Sequence, residues 1–274
     1  MISAPNGLAT LVIVVALFCA TAALLAAQLR TEGYGLSASV ALGGLAIAQP
    51  AYAMGMNTLH TALLALVTCT MAVCAVALVK EQSARRIILL GSSLAGAQLV
   101  NLPDGLAATL MLPAILRLPR SRVDVERTLG LYVLLLFLPG LVLLGRLYFV
   151  WLGQTEIARW SDEPWPVASN RTALVAIAAA IMFLPVLLET LAVEASMAIS
   201  ALLSLAAATL IAALISSPAD SVCALAAILP PLAILLVGQW PVSLQRTRIA
   251  VLTVAAATGL AWAYELAAQV FAHA

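Results

Sequence analysis

Residues 87–116, IILLGSSLAGAQLVNLPDGLAATLMLPAIL, run for 30 residues with one charge, Asp104, at their middle. As a single helix this stretch would extend about 45 Å, well past the roughly 30 Å of a bilayer core. Both flanks are basic: Lys80, Arg85 and Arg86 precede it, and Arg117, Arg120, Arg122 and Arg127 follow. A single crossing would put the two largest basic clusters in opposite compartments, against the tendency of Lys and Arg to collect on one side. The stretch is therefore expected to enter and return as a broken helical hairpin. The break is placed at NLPDG, with Pro103 ending one helix, Asp104 capping the next and Gly105 easing the turn. Its halves, 87–102 and 105–116, are each too short for a comfortable crossing. A non-helical tip at that depth must be buried in protein or line a wet cavity.

Lipid is the solvent that this chain requires. Of its 274 residues 64% are hydrophobic and 9% charged, against about 25% charged in soluble domains. Further apolar runs predict spans near 8–29, 36–53, 57–79, 129–152, 172–193, 197–215, 221–239 and 249–271. The fold class is thus all-α, a polytopic integral membrane bundle of about eight spanning helices plus the hairpin at 87–116. The chain reads as one transmembrane domain, 1–274, and the polar stretch 153–171 as an outer loop. The first apolar run has no basic residue before it and is long enough to span, so it is expected to be retained. Arg30, Lys80, Arg85, Arg86, the 117–127 cluster, Arg246 and Arg248 all fall on one side if both termini are outside. The expected location is a bacterial-type inner membrane.

Polar groups inside the spans are the candidates for chemistry, because placing them there is costly. Asp104 is the first; helix capping alone would also account for it. His60, in MGMNTLH near the outer end of the third span, is an acid–base or headgroup-binding candidate, or an interfacial histidine in contact with water. Arg146 has the guanidinium geometry that clamps a lipid phosphate, or it snorkels to the outer interface. Glu189 and Glu194 are five apart and share a face poorly, and Glu265 lies deeper with no obvious partner in the sequence. Cys19, Cys69, Cys74 and Cys223 all sit in apolar runs and read as small buried residues. The sequence carries no phosphate loop, HExxH or nucleophile elbow. Neither a metal nor a cofactor is expected, and the net charge of +1 gives no sign of a nucleic-acid partner.

Three stretches resemble the membrane region of polyprenyl-phosphate-dependent GT-C glycosyltransferases, the protein mannosyltransferase-like group. They are LAIAQPAYAMGMNTLHTALLALVTCTMAVCAVALVKE (45–81), SLAGAQLVNLPDGLAATLMLP (93–113) and LYVLLLFLPGLVLLGRLYFVWLGQTEIARW (131–160). The second is similar to the family pattern G-L-x-x-L-T-K-P-x-G-L-L-L-L-P. This resemblance implies a membrane fold that meets a lipid-linked sugar at the outer face. The family's acidic residue in a large first outer loop has no counterpart, since no Asp or Glu precedes Glu32. The second outer loop reads Asn57-Thr58 where relatives carry an acid, and Asn101 stands where the lysine before the hairpin proline is usual.

Three readings follow. The first is a GT-C-like scaffold or accessory subunit without a complete catalytic site, partnered by membrane lipids and other membrane subunits. The second is a glycosyltransferase using a polyprenyl-phosphate-linked sugar, with Asp104 or His60 as base and Arg146 holding phosphate. The third is a transporter or lipid flippase, for which Pro230-Pro231 would have to supply a second broken helix.

Overall fold

The computed structural model describes residues 4–53, 59–81, 83–100, 102–115, 125–153, 196–215 and 218–239. The expected spans 172–193 and 249–271, and the loop 153–171 beyond Gly153, lie outside the described residues. Within them the chain forms eight helices: α1 (Ala4–Thr31), α2 (Leu36–Ala53), α3 (Leu59–Lys80), α4 (Ala84–Val100), α5 (Leu102–Ile115), α6 (Val125–Trp151), α7 (Met197–Ile215) and α8 (Pro218–Gly238). Three of them, α1, α3 and α6, contain stretches long and apolar enough to cross a membrane; α7 and α8 carry shorter apolar segments.

The centre of the bundle is α3, which packs against α1, α4, α7 and α8. Ala62, Leu64, Ala65, Cys69, Ala72, Ala75 and Val76 along it are fully enclosed. From Ile228 to Gly238 α8 is buried on every side, as expected of a helix apolar all round. It is held between α1, α2, α3 and α7 and runs unbroken through Pro230 and Pro231. Buried hydroxyls bond within their own helices: Thr21 donates to the Leu17 carbonyl, Ser204 to Ser200 and Thr209 to Leu205, at 2.6–2.9 Å. That is how polar side chains remain satisfied where water is absent.

The broken hairpin is present, with its break one step earlier than the sequence reading put it. Helix α4 continues to Val100 and α5 begins at Leu102. Pro103 therefore does not end the first helix. It occupies the first turn of the second, where a missing N–H leaves no bond unmade. Asp104 lies in that same turn, past the capping position, and its carboxylate still faces the positive end of the helix dipole. Gly105 makes no turn. A Cβ there would lie 2.3 Å from the Gln98 nitrogen, so glycine is what lets α5 lie against the α4 backbone.

Two other glycines set helix spacing in the same way. A Cβ on Gly43 would meet the Ala22 carbonyl oxygen at 2.6 Å, where α2 crosses α1. A Cβ on Gly91 would meet the Leu135 oxygen at 2.7 Å, where α4 crosses α6. The second contact has a local cause. Pro139 lies inside α6 and has no N–H to give the carbonyl four residues back, which is that of Leu135. The absence of a side chain on Gly91 is what lets α4 lie this close to that oxygen.

Gly43 and Gly44 offer an internal comparison, because nothing lies within 4 Å of a Cβ added at Gly44. Alanine raises helix propensity at either position by about 1 kcal/mol. Gly44→Ala is expected to leave thermal stability in detergent unchanged or slightly raised. Gly43→Ala is expected to lower it, by a net 1–3 kcal/mol as is typical of overpacking (~). Equal effects at the two sites would show that the α1–α2 crossing is not set by this approach.

Candidate functional site

The three residues singled out by sequence fall on three different helices. Asp104 is buried, with 4% of its surface exposed, in the first turn of α5. Arg146 is half-buried on α6, and at 3.6 residues per turn it shares the face of that helix with Leu135 and Pro139. It therefore belongs to the packed side of α6. His60 falls in the first turn of α3. Glu189, Glu194 and Glu265 lie outside the described residues.

Register brings two of these to one level of the bundle. Helices α3 and α4 are joined by the short connection after Lys80 and run antiparallel. Arg86 donates from Nη1 to the Ala77 carbonyl at 2.6 Å. Ten residues further along each helix, a Cβ on Gly96 would touch Val67 at 3.7 Å. Extending this register places the end of α4, and with it the hairpin tip, within about one turn of His60. Gln98 and Thr109 join the two arms just below that tip. The Gln98 Nε2 donates to Thr109 Oγ1 at 3.0 Å, and that hydroxyl donates to the Gly105 carbonyl at 2.6 Å. Gln98 Oε1 is buried without a hydrogen-bond partner among the described residues. The tip is thus a polar island between α4, α5, α6 and α7.

The opposite end of α3 carries a second polar cluster. The α1 helix ends in a Schellman turn: Gly33 has φ +91°, its N–H reaches the Arg30 carbonyl, and the Tyr34 N–H reaches that of Leu29. The turn delivers Glu32 to an ion pair with Lys80 at the end of α3, and Glu32 also accepts from Gln28 Nε2 at 2.8 Å. Glu81 pairs with Arg86 at 2.7 Å. Tyr34 donates to the Val237 carbonyl of α8 at 3.4 Å. The ends of α1, α3 and α8 and the starts of α2 and α4 therefore meet here, which brings Arg30, Lys80, Arg85 and Arg86 to one end of the bundle.

Sequence reasoning recognised those cations as a topological signal and missed the acid that binds one of them. The signal was available: Glu32 is the first acid of the chain, two residues after Arg30, and the predicted topology put it on the same side as Lys80. Gln98 was missed because a lone amide in an apolar run has no spacing pattern to mark it. Among the described residues no three His, Cys, Asp or Glu side chains converge as a metal site would require. No family model, curated protein or solved structure matches the chain.

The Glu32–Lys80 contact is testable as a tie between α1 and α3. Glu32 is mostly enclosed while Lys80 is nearly half exposed, with 13% and 44% of their side-chain surfaces accessible. Solvent screening limits the pair to about 0.5–1 kcal/mol. Glu32→Gln and Lys80→Met are each expected to lower the unfolding midpoint, and the double variant to lose less than the sum. Strict additivity in that double-mutant cycle would show that the two residues do not couple.

Proposed function

We propose that this protein is a multi-pass inner-membrane bundle, GT-C-like in plan, that serves as a scaffold or accessory subunit of a membrane assembly. The observation that supports this reading is the outward face of α6. Leu129, Val133, Leu136, Phe137, Leu141, Leu144, Leu147, Tyr148 and Trp151 are all exposed there, across roughly half the helix circumference. Aromatic rings gather at its far end, with Tyr148 6.1 Å from both Phe149 and Trp151, as suits a membrane interface. A 27-residue helix attached to the rest of the bundle along one side leaves the other for lipid and for helices of partner subunits.

The glycosyltransferase reading has its own support in the common level of His60 and the hairpin tip, and in the inward placement of Arg146. There Arg146 would hold the phosphate of a polyprenyl-phosphate sugar, and Asp104 or His60 would take the acceptor proton. The transporter reading has less: α8 runs unbroken through Pro230-Pro231 and so does not supply the second broken helix.

Purification of the tagged chain in mild detergent or nanodiscs, with mass spectrometry of what accompanies it, separates these readings. A subunit is expected to bring stoichiometric membrane-protein partners. Alanine at Val133, Phe137 and Leu144 together is expected to lower their recovery several-fold while the chain stays monodisperse. A chain that purifies alone, carries a polyprenyl-phosphate lipid and transfers its sugar would overturn the subunit reading. In that case Asp104→Asn, Arg146→Ala and His60→Ala would be expected to reduce the product.

A further inference from the structure

Among the described residues the first turns of α4 have an exposed face laid out like an amphiphile; further along, Gly96 on the same face lies against Val67 of α3. At helical spacing it carries Arg85, then Ile88 and Leu89 one turn on, then Ser92, with Leu99 two turns beyond. Arg85 and Ser92 are exposed, and Ile88, Leu89 and Leu99 are 43%, 48% and 39% exposed although α4 packs against α3, α5 and α6. The Ser92 hydroxyl is turned back onto the Ile88 carbonyl at 2.8 Å, so the stripe below Arg85 presents little polarity.

The charge at its head has no ion-pair partner among the described residues. Arg86, the next residue, is held by Glu81 and by the Ala77 carbonyl, and Glu32 is occupied by Lys80. Arg85 makes no ion pair among the described residues. It also stands at the end of α4 where the dipole is positive, the unfavourable end for a cation. Arg30, by contrast, closes the last turn of α1, where a cation is favoured.

We propose that this face of α4 binds an anionic glycerophospholipid, its phosphodiester on Arg85 and one acyl chain along Ile88, Leu89, Ser92 and Leu99. The charge selects an anion, and the apolar stripe running directly from it selects one with a hydrocarbon tail, which free phosphate lacks. The inference rests on the membrane reading of the chain and is independent of whether the chain is a subunit or an enzyme. It concerns a different helix and residue from the Arg146 candidate.

Native mass spectrometry of the purified full chain tests it, titrating dioleoyl phosphatidylglycerol against dioleoyl phosphatidylcholine, with dihexanoyl phosphatidylglycerol and inorganic phosphate as further arms. The dioleoyl anionic lipid is expected to be retained best. Arg85→Gln is expected to weaken it about fivefold, the effect of one basic residue at a membrane surface. Arg85→Lys should keep most of the affinity and Arg30→Gln should leave it unchanged. Leu89→Gln is expected to weaken the dioleoyl lipid and spare the dihexanoyl one, and it carries the test if Arg85→Gln does not yield a monodisperse chain. Equal retention of the anionic and zwitterionic lipids would overturn the proposal. So would equal losses from Arg85→Gln and Arg30→Gln, or binding of inorganic phosphate as strong as that of the lipid.

Discussion

A proline in the middle of an apolar helix leaves one carbonyl without its N–H, and in hydrocarbon no water is there to replace it. In α6 that carbonyl belongs to Leu135, and a Cβ on Gly91 of α4 would lie 2.7 Å from it. The α4–α6 contact thus includes a backbone approach that a side chain at position 91 would block. Much of the remaining architecture follows from α4 being fixed there. Its N-terminal end is bound back onto α3 by Arg86 and Glu81, and its C-terminal end carries the hairpin, which α7 meets through α5. Close approaches at small residues of this kind are typical of helices that pack in lipid.

How much of this was legible from the sequence can be judged helix by helix. The runs at 36–53 and 197–215 coincide with α2 and α7, because each is a long apolar stretch with clear polar boundaries. The hairpin was legible from an arithmetic mismatch, too many apolar residues for one crossing and positive charge at both ends. Its local chemistry was misjudged. Proline was read as a terminator and glycine as a turn, their commonest roles, whereas Pro103 starts a helix and Gly105 admits a neighbouring backbone. The two roles of glycine differ only in what lies beside it, and that is tertiary information. At Gly33 the chain does turn through positive φ, between the expected spans 8–29 and 36–53.

Of the candidate site, the identity of the polar residues was legible and their grouping was not. Asp104, His60 and Arg146 stood out because ionisable groups are rare in the apolar runs. Their relation depends on the α3–α4 register, which is fixed by Arg86 reaching Ala77 and by Gly96 meeting Val67. Neither contact has a sequence signature. The cationic end presents a different case: Arg30, Lys80, Arg85 and Arg86 meet at one end of the bundle as expected, the 117–124 part of the cluster and Arg246 and Arg248 lie outside the described residues, and which cations are paired has no sequence signature.

The contact between Tyr34 and Val237 joins residues 203 apart in the chain. Ribosomes add about 5–20 residues per second, so α1 to α3, complete at Lys80, are made about 8–32 s before α8 is complete at Gly238. During that interval the space that α8 later fills is open, lined by the small and apolar residues of three finished helices. Order of synthesis therefore matters for this chain. An incomplete bundle has a helix-sized vacancy that another apolar segment, or lipid on the membrane reading, can enter first, and α8 must displace whatever is there.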